Sequence, residues 1–221
     1  MIAERLQSIQ SELPSGVELV AVSKFHPAGE ILEAYAAGQR AFGENRPQEF
    51  AAKVPFLPAD IRWHFIGHLQ TNKLKLVLPY AALVQSVDSR HLLDAIQAWG
   101  AANGRIVPIL LELHLGAEET KGGFTQEEIM SVMDEYASGA ASLSCVRIRG
   151  LMGMATNTDD EDVVRSDFAR IRAFKDRLSA LHPALADFTE LSIGMSGDWR
   201  IALEYGATIV RIGTAIFGPR K

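Results

Sequence analysis

The chain has one cysteine, Cys145, which excludes an intramolecular disulfide framework and any all-cysteine metal site. Cys145 stands between polar turn residues and an apolar run, where a thiol serves as a small packed residue. Cysteine this sparse fits a reducing compartment, and a cytoplasmic protein is the expectation. Positive charge is also scarce: 22 Lys and Arg against 27 Asp and Glu give a formal net charge of −5. That balance argues against nucleic acid as a main partner, because binding a phosphate backbone needs clustered cations. No apolar run approaches the roughly 18 to 20 residues that a membrane helix requires. The opening Met1-Ile2-Ala3-Glu4-Arg5-Leu6 has neither a cationic start nor an apolar signal core. A chain neither exported nor embedded is therefore expected. Low-complexity linkers, short-period repeats and breaks in composition are lacking as well. One domain over 1–221 is the reading, with residues 1–16 as a leading helix.

What the chain does have is apolar substance: 48% of its 221 residues are hydrophobic, enough for one large core. Runs rich in Val, Ile and Leu recur at 17–24, 40–44, 61–67, 82–87, 106–115, 146–154, 189–194 and 207–213. Several are apolar on both faces, as buried parallel strands are. Helical spacing fills the gaps. Ile31, Leu32, Tyr35 and Ala36 follow Pro27, and Leu92, Leu93 and Ile96 follow Ser89. Thr125, with Glu128 three residues on, marks a helix start before Ile129, Val132, Met133 and Tyr136. Val164, Phe168, Ile171, Phe174, Leu178 and Leu181 line one side of a long helix over 160–181. Eight strand–helix alternations predict an α/β fold, a (β/α)8 TIM-like barrel. A doubly wound open sheet is the rival, but the first βα turn, Ser23-Lys24-Phe25-His26-Pro27, lacks that fold's glycine fingerprint.

Barrels of this kind gather their chemistry at the C-terminal strand tips. That rule brings Lys24, Glu44-Asn45-Arg46, His68, Met154, Met195-Ser196, Arg211, Gly213 and Thr214 to one rim. Lys24 follows an apolar strand, where partial burial would disfavour its charged form and free its lone pair to attack a carbonyl. Two turns, Gly194-Met195-Ser196-Gly197 and Gly213-Thr214, follow strands seven and eight and open helices, where phosphate sites recur. An amine beside a phosphate cradle suits a phosphorylated aldehyde, and pyridoxal 5′-phosphate (PLP) is the leading candidate. Arg211 alternates with Val210 and Ile212, so it points into the barrel mouth. Facing a pyridine nitrogen, its tightly held proton would keep that nitrogen unprotonated and weaken the ring as an electron sink.

Other patterns fail. His64 and His68 are four apart, but they sit on a strand-like run without a zincin glutamate. Gly213 to Gly218 has P-loop spacing, yet Pro219 and Arg220 replace the Lys-Ser/Thr pair. Asp198 stands where a nucleophile elbow needs its second glycine. His114 and the Met152–Met154 pair read as packed residues. No metal is expected.

In order along the chain stand Ala21-Val22-Ser23-Lys24, Phe42-Gly43-Glu44-Asn45, Trp63-His64-Phe65-Ile66-Gly67-His68-Leu69-Gln70, Gly150-Leu151-Met152, Ser192-Ile193-Gly194-Met195-Ser196-Gly197-Asp198 and Val210-Arg211-Ile212-Gly213-Thr214. Through these segments the chain resembles the pyridoxal phosphate homeostasis protein family, barrels related to the N-terminal domain of alanine racemase (fold type III). The resemblance implies that Lys24 forms an internal aldimine with PLP. It further implies that Ser196, Gly213 and Thr214 hold the phosphate, that Arg211 lies beside the ring nitrogen, and that Asn45 and Met154 lie near the ring. Lys121 matches a loop lysine at the site mouth, where strand order also puts His68. Two positions depart from the family: His26 replaces a frequent second lysine, and His114 replaces a common asparagine. The implied function is to hold PLP and deliver it, with PLP-dependent apoenzymes as recipients and without dedicated catalytic turnover. A small racemase-like enzyme is the alternative. Racemases of this fold type add a second domain and a partner-subunit tyrosine. The sequence to Lys221 carries neither, so cofactor exchange and a monomer are the expectations.

Overall fold

Each of the eight apolar runs becomes a strand in the computed structural model, which describes residues 1–115 and 122–219. The strands are β1 (Glu18–Val22), β2 (Ala41–Glu44), β3 (Arg62–Phe65), β4 (Ala81–Val87), β5 (Val107–Leu113), β6 (Val146–Gly153), β7 (Glu190–Ser192) and β8 (Ile209–Ile212). They pair in sequence order and in parallel, and β8 closes on β1 with Val20 opposite Arg211. That closure excludes the open doubly wound sheet. The fold is a TIM-like barrel.

Most strands are shorter than the apolar runs that foreshadow them. β1 stops at Val22, so Lys24 sits in the turn beyond the strand rather than at its last position. Ser23 keeps one ladder bond, to the Gly43 carbonyl at 2.9 Å, and the chain then turns at Phe25, whose φ is 68°.

The connecting helices start and stop where their caps dictate. They run α1 (Ile2–Glu12), α2 (Ala28–Ala36), α3 (Pro47–Lys53), α4 (Leu74–Val77), α5 (Arg90–Asn103), α6 (Gln126–Ala137), α7 (Glu161–Leu181), α8 (Trp199–Glu204) and α9 (Thr214–Phe217). At α6 the Thr125 hydroxyl accepts from Glu128 N at 3.2 Å, while the Glu128 carboxylate accepts from Thr125 N at 2.8 Å. This is the reciprocal capping box that the Thr-x-x-Glu spacing predicts. α7 begins one residue later than expected because Asp160 caps it from outside. α1 buries Ile2, Leu6 and Ile9 and packs on α2 and α9. No helix among the described residues is long and apolar enough to cross a membrane.

Two apolar zones hold the barrel. The larger lies between strands and helices and includes Phe50, Phe65, Leu93 and Phe168, all fully buried. A smaller one fills the inside, where Val20, Ala41, Leu83, Leu110, Met152 and Ile209 meet. Strand periodicity separates the two, since successive side chains point to opposite faces. On β8, Val210 and Ile212 join the outer zone while Ile209 joins the inner one. Arg211 shares the inward face of Ile209 and reaches the mouth above it.

Candidate functional site

A cavity of about 790 Å³ opens at the C-terminal mouth, well within the usual size range of small-ligand sites. Lys24, Asn45, His68, Met154, Ser196, Arg211, Gly213 and Thr214 all line it. Lys121 lies outside the described residues. The sequence reading also put Glu44 and Arg46 on this rim, and they are not there. Neighbours along a strand end point oppositely, so Asn45 faces the cavity while Glu44 is fully buried behind the Lys24 turn. Arg46 lays its guanidinium 4.4 Å over the Phe25 ring.

That turn is tightly held. The Ser23 hydroxyl donates to Glu44 Oε1 at 2.7 Å, and Lys53 Nζ donates to the Ser23 carbonyl at 2.9 Å. Phe25 N donates to Glu49 Oε1 at 2.6 Å. A phenylalanine at positive φ costs energy that such bonds must over-determine. The result is a half-buried lysine on a rigid support. His26 does not share the cavity; it stacks on Phe217 at 4.9 Å and bonds Glu30 at 2.7 Å.

The two glycine turns converge opposite. Gly213 N donates to the Ser196 hydroxyl at 3.3 Å, tying the turn after β7 to the turn after β8. Gly194 has φ +93°, and a Cβ there would fall 2.7 Å from Ala202 Cβ and 2.9 Å from Trp199 Cα. Only glycine lets α8 come this close. Helix first turns leave N–H groups without intrahelical acceptors, which suits an anion.

Charge at the cavity floor is uneven. Arg211 is buried and its hydrogen bonds go to neutral acceptors: Nη1 to the Ser192 carbonyl at 2.8 Å and hydroxyl at 2.6 Å, Nη2 to the Gly153 carbonyl at 3.0 Å. Burial lowers its pKa to about 10. Glu112, from β5, also lines the cavity. Burial first, and then the nearby Asp88 charge, push its carboxyl up to about 7. Asp88 bonds His68 Nδ1 at 2.7 Å. Neither Glu112 nor Asp88 is among the residues expected at this site. The signal for Glu112 was a carboxylate in an apolar strand, on the same alternating face as Leu110. Among the described residues no group of three or more side chains could hold a metal ion.

A closed parallel barrel with a half-buried lysine, a serine–glycine cradle and an arginine floor at its mouth defines a small-ligand (β/α)8 barrel. Comparison with known proteins narrows this. The model of the alanine racemase N-terminal domain matches residues 1–221. The pyridoxal phosphate homeostasis protein of Aquifex aeolicus is 38% identical over 100% of this chain and 96% of its own length. The protein of the same name from Homo sapiens is 34% identical over 99% of this chain and 84% of its own. The chain belongs to the pyridoxal phosphate homeostasis protein family, within the alanine racemase N-terminal domain fold. Among solved structures, PipY of Synechococcus elongatus with PLP bound superposes with a TM-score of 0.89 at 40% identity, covering 99% of this chain and 100% of that one. Alanine racemase of Bartonella henselae shares the fold at a TM-score of 0.76 and 14% identity, with this chain covering 58% of that one.

Proposed function

We propose that this protein binds PLP in the mouth cavity, holds it reversibly on Lys24 and serves PLP holding and delivery in the cytoplasm. The observation that carries this reading is the convergence of Lys24 and the bonded Ser196–Gly213 turns on one cavity. The residues present fit the group. Asn45 lines the cavity with a buried amide oxygen that has no hydrogen-bond partner among the described residues, a loss that a polar ligand atom would repair. Ser196 and Thr214 offer donors to a phosphate, Gly213 N holds the Ser196 hydroxyl in place beside it, and Met154 offers apolar contact to a ring. Arg211 supplies N–H donors toward a ring nitrogen.

When bound, PLP would supply an aldehyde reactive toward a primary amine. Lys24 would supply that amine and hold the cofactor reversibly. Arg211 never accepts a hydrogen bond, so its edge favours an unprotonated ring nitrogen and disfavours carbanion chemistry. Cofactor exchange, with a monomer handing PLP to apoenzymes, suits the site better than amino-acid turnover.

A spectroscopic titration tests the proposal. Wild-type protein with PLP should develop a visible band displaced from that of the free cofactor, and Lys24→Ala should not. Neither protein should exchange the Cα hydrogen of L- or D-alanine. A Lys24→Ala variant with the wild-type spectrum would defeat the assignment, and steady racemisation would favour the enzyme reading.

A further inference from the structure

A line of polar contacts runs through the inside of the barrel, from the cavity floor to the opposite end. Arg211 Nη1 donates to the Ser192 hydroxyl at 2.6 Å, and that hydroxyl donates to Gln85 Oε1 at 2.7 Å. Gln85 Nε2 meets His64 Nδ1 at 2.7 Å, and His64 Nε2 lies 3.5 Å from Glu18 Oε2. The other Glu18 oxygen accepts from Arg62 at 2.6 Å. Strands β8, β7, β4, β3 and β1 each contribute a link. Arg211, Ser192, Gln85 and His64 are buried.

One arrangement of hydrogens serves every link. A guanidinium only donates, so Ser192 accepts from Arg211, and its own hydrogen finds an acceptor in Gln85 Oε1. The amide nitrogen of Gln85 then faces His64, and Nδ1 must be the bare, accepting nitrogen. In this arrangement His64 is the neutral Nε2–H tautomer. Burial acts in the same sense by disfavouring the imidazolium.

We propose that Ser192, Gln85 and His64 are positioning residues that set Arg211 toward the cofactor. Saturating Nη1 from below and one Nη2 hydrogen at Gly153 leaves Nε and the second Nη2 hydrogen for the cavity. Reversing one link, by a proton on His64 Nδ1, would turn the Gln85 amide. The Ser192 hydroxyl would then accept from both Arg211 and the Gln85 amide, leaving its own hydrogen without an acceptor in the line. This inference rests on the PLP reading above for what Arg211 faces.

The test combines histidine 15N NMR of the cofactor-free protein with PLP titration of variants. Wild type should show His64 with a bare Nδ1 and a protonated Nε2. Gln85→Glu presents an acceptor to His64 and should move a proton onto Nδ1. Ser192→Ala should weaken PLP roughly tenfold and shift the visible band, and Ser192→Thr, which keeps the hydroxyl, should recover most of both. A purely structural Ser192 would not shift the band of a folded variant. A wild-type Nδ1–H overturns the relay even if no variant folds, and so does a folded Ser192→Ala with wild-type affinity and spectrum. Absence of any PLP band in wild type with Nδ1 bare sinks the cofactor reading, and with it Arg211's target, while the bond order stands.

Discussion

Half-buried Lys53 pairs with Glu44, Nζ to Oε1 2.8 Å, and with Glu49 at 2.7 Å, against the backbone that carries Lys24. Glu44 is fully buried and burial raises its pKa, while Lys53 pulls it back by charge and hydrogen bond. Its second oxygen has no hydrogen-bond partner among the described residues. Lys53→Met would leave that carboxylate without its cation and should destabilise the fold by about 3 to 5 kcal/mol. Adding Glu44→Gln should restore part of the loss. Urea unfolding of the single and double variants measures both, and additive losses would count against the pair.

Glu112 makes stability depend on pH. Its carboxyl rises from 4.5 to about 7 in the fold, so the native state binds more protons than the unfolded chain. Its contribution is neutral below the unfolded value and unfavourable above it. Stability should fall as pH rises from about 4.5 through 7, by up to about 3 kcal/mol for this group. Glu112→Gln should flatten that part of the profile and be the more stable form near pH 8. Equal slopes in the two proteins would remove Glu112 as the cause.

Gly67 passes the backbone of Asn45 with no room for a methyl: a Cβ would sit 2.2 Å from the Asn45 carbonyl oxygen. Gly67→Ala should cost about 1 to 3 kcal/mol and displace Asn45 from the cavity. Thermal melting together with PLP titration tests this. A variant as stable and as avid as wild type would show that the strand end yields freely.

The α6 capping box is far simpler. Thr125→Ala should cost about 1 kcal/mol with no change in PLP binding, and denaturant melts of the two proteins would show it. A change in affinity would instead link α6 to the cavity.

Much of this architecture was legible because one signal governs it. Buried parallel strands read as unbroken Val, Ile and Leu runs, and the Thr125 cap marks its helix start directly. Strand ends were less legible: the run to Lys24 outlasts β1, whose ladder stops after one last bond at Ser23. Lys24 and Arg211 could be placed on the rim from position and alternation. The departures of Glu44 and Arg46 follow from one more step of the same alternation. Glu112, Gln85 and Ser192 were not legible as a site, because their meaning depends on partners from other strands, such as Ser192 against Gln85 at 2.7 Å. A polar residue in an apolar strand announces only that some partner exists.

The central claim is that the Lys24 amine carries the cofactor. Borohydride reduction of the PLP-loaded protein, followed by peptide mass mapping, tests it most directly. A phosphopyridoxyl group fixed on the peptide containing Lys24, and missing from Lys24→Ala, is the expected result. The same label on another lysine, with Lys24 unmodified, would contradict it.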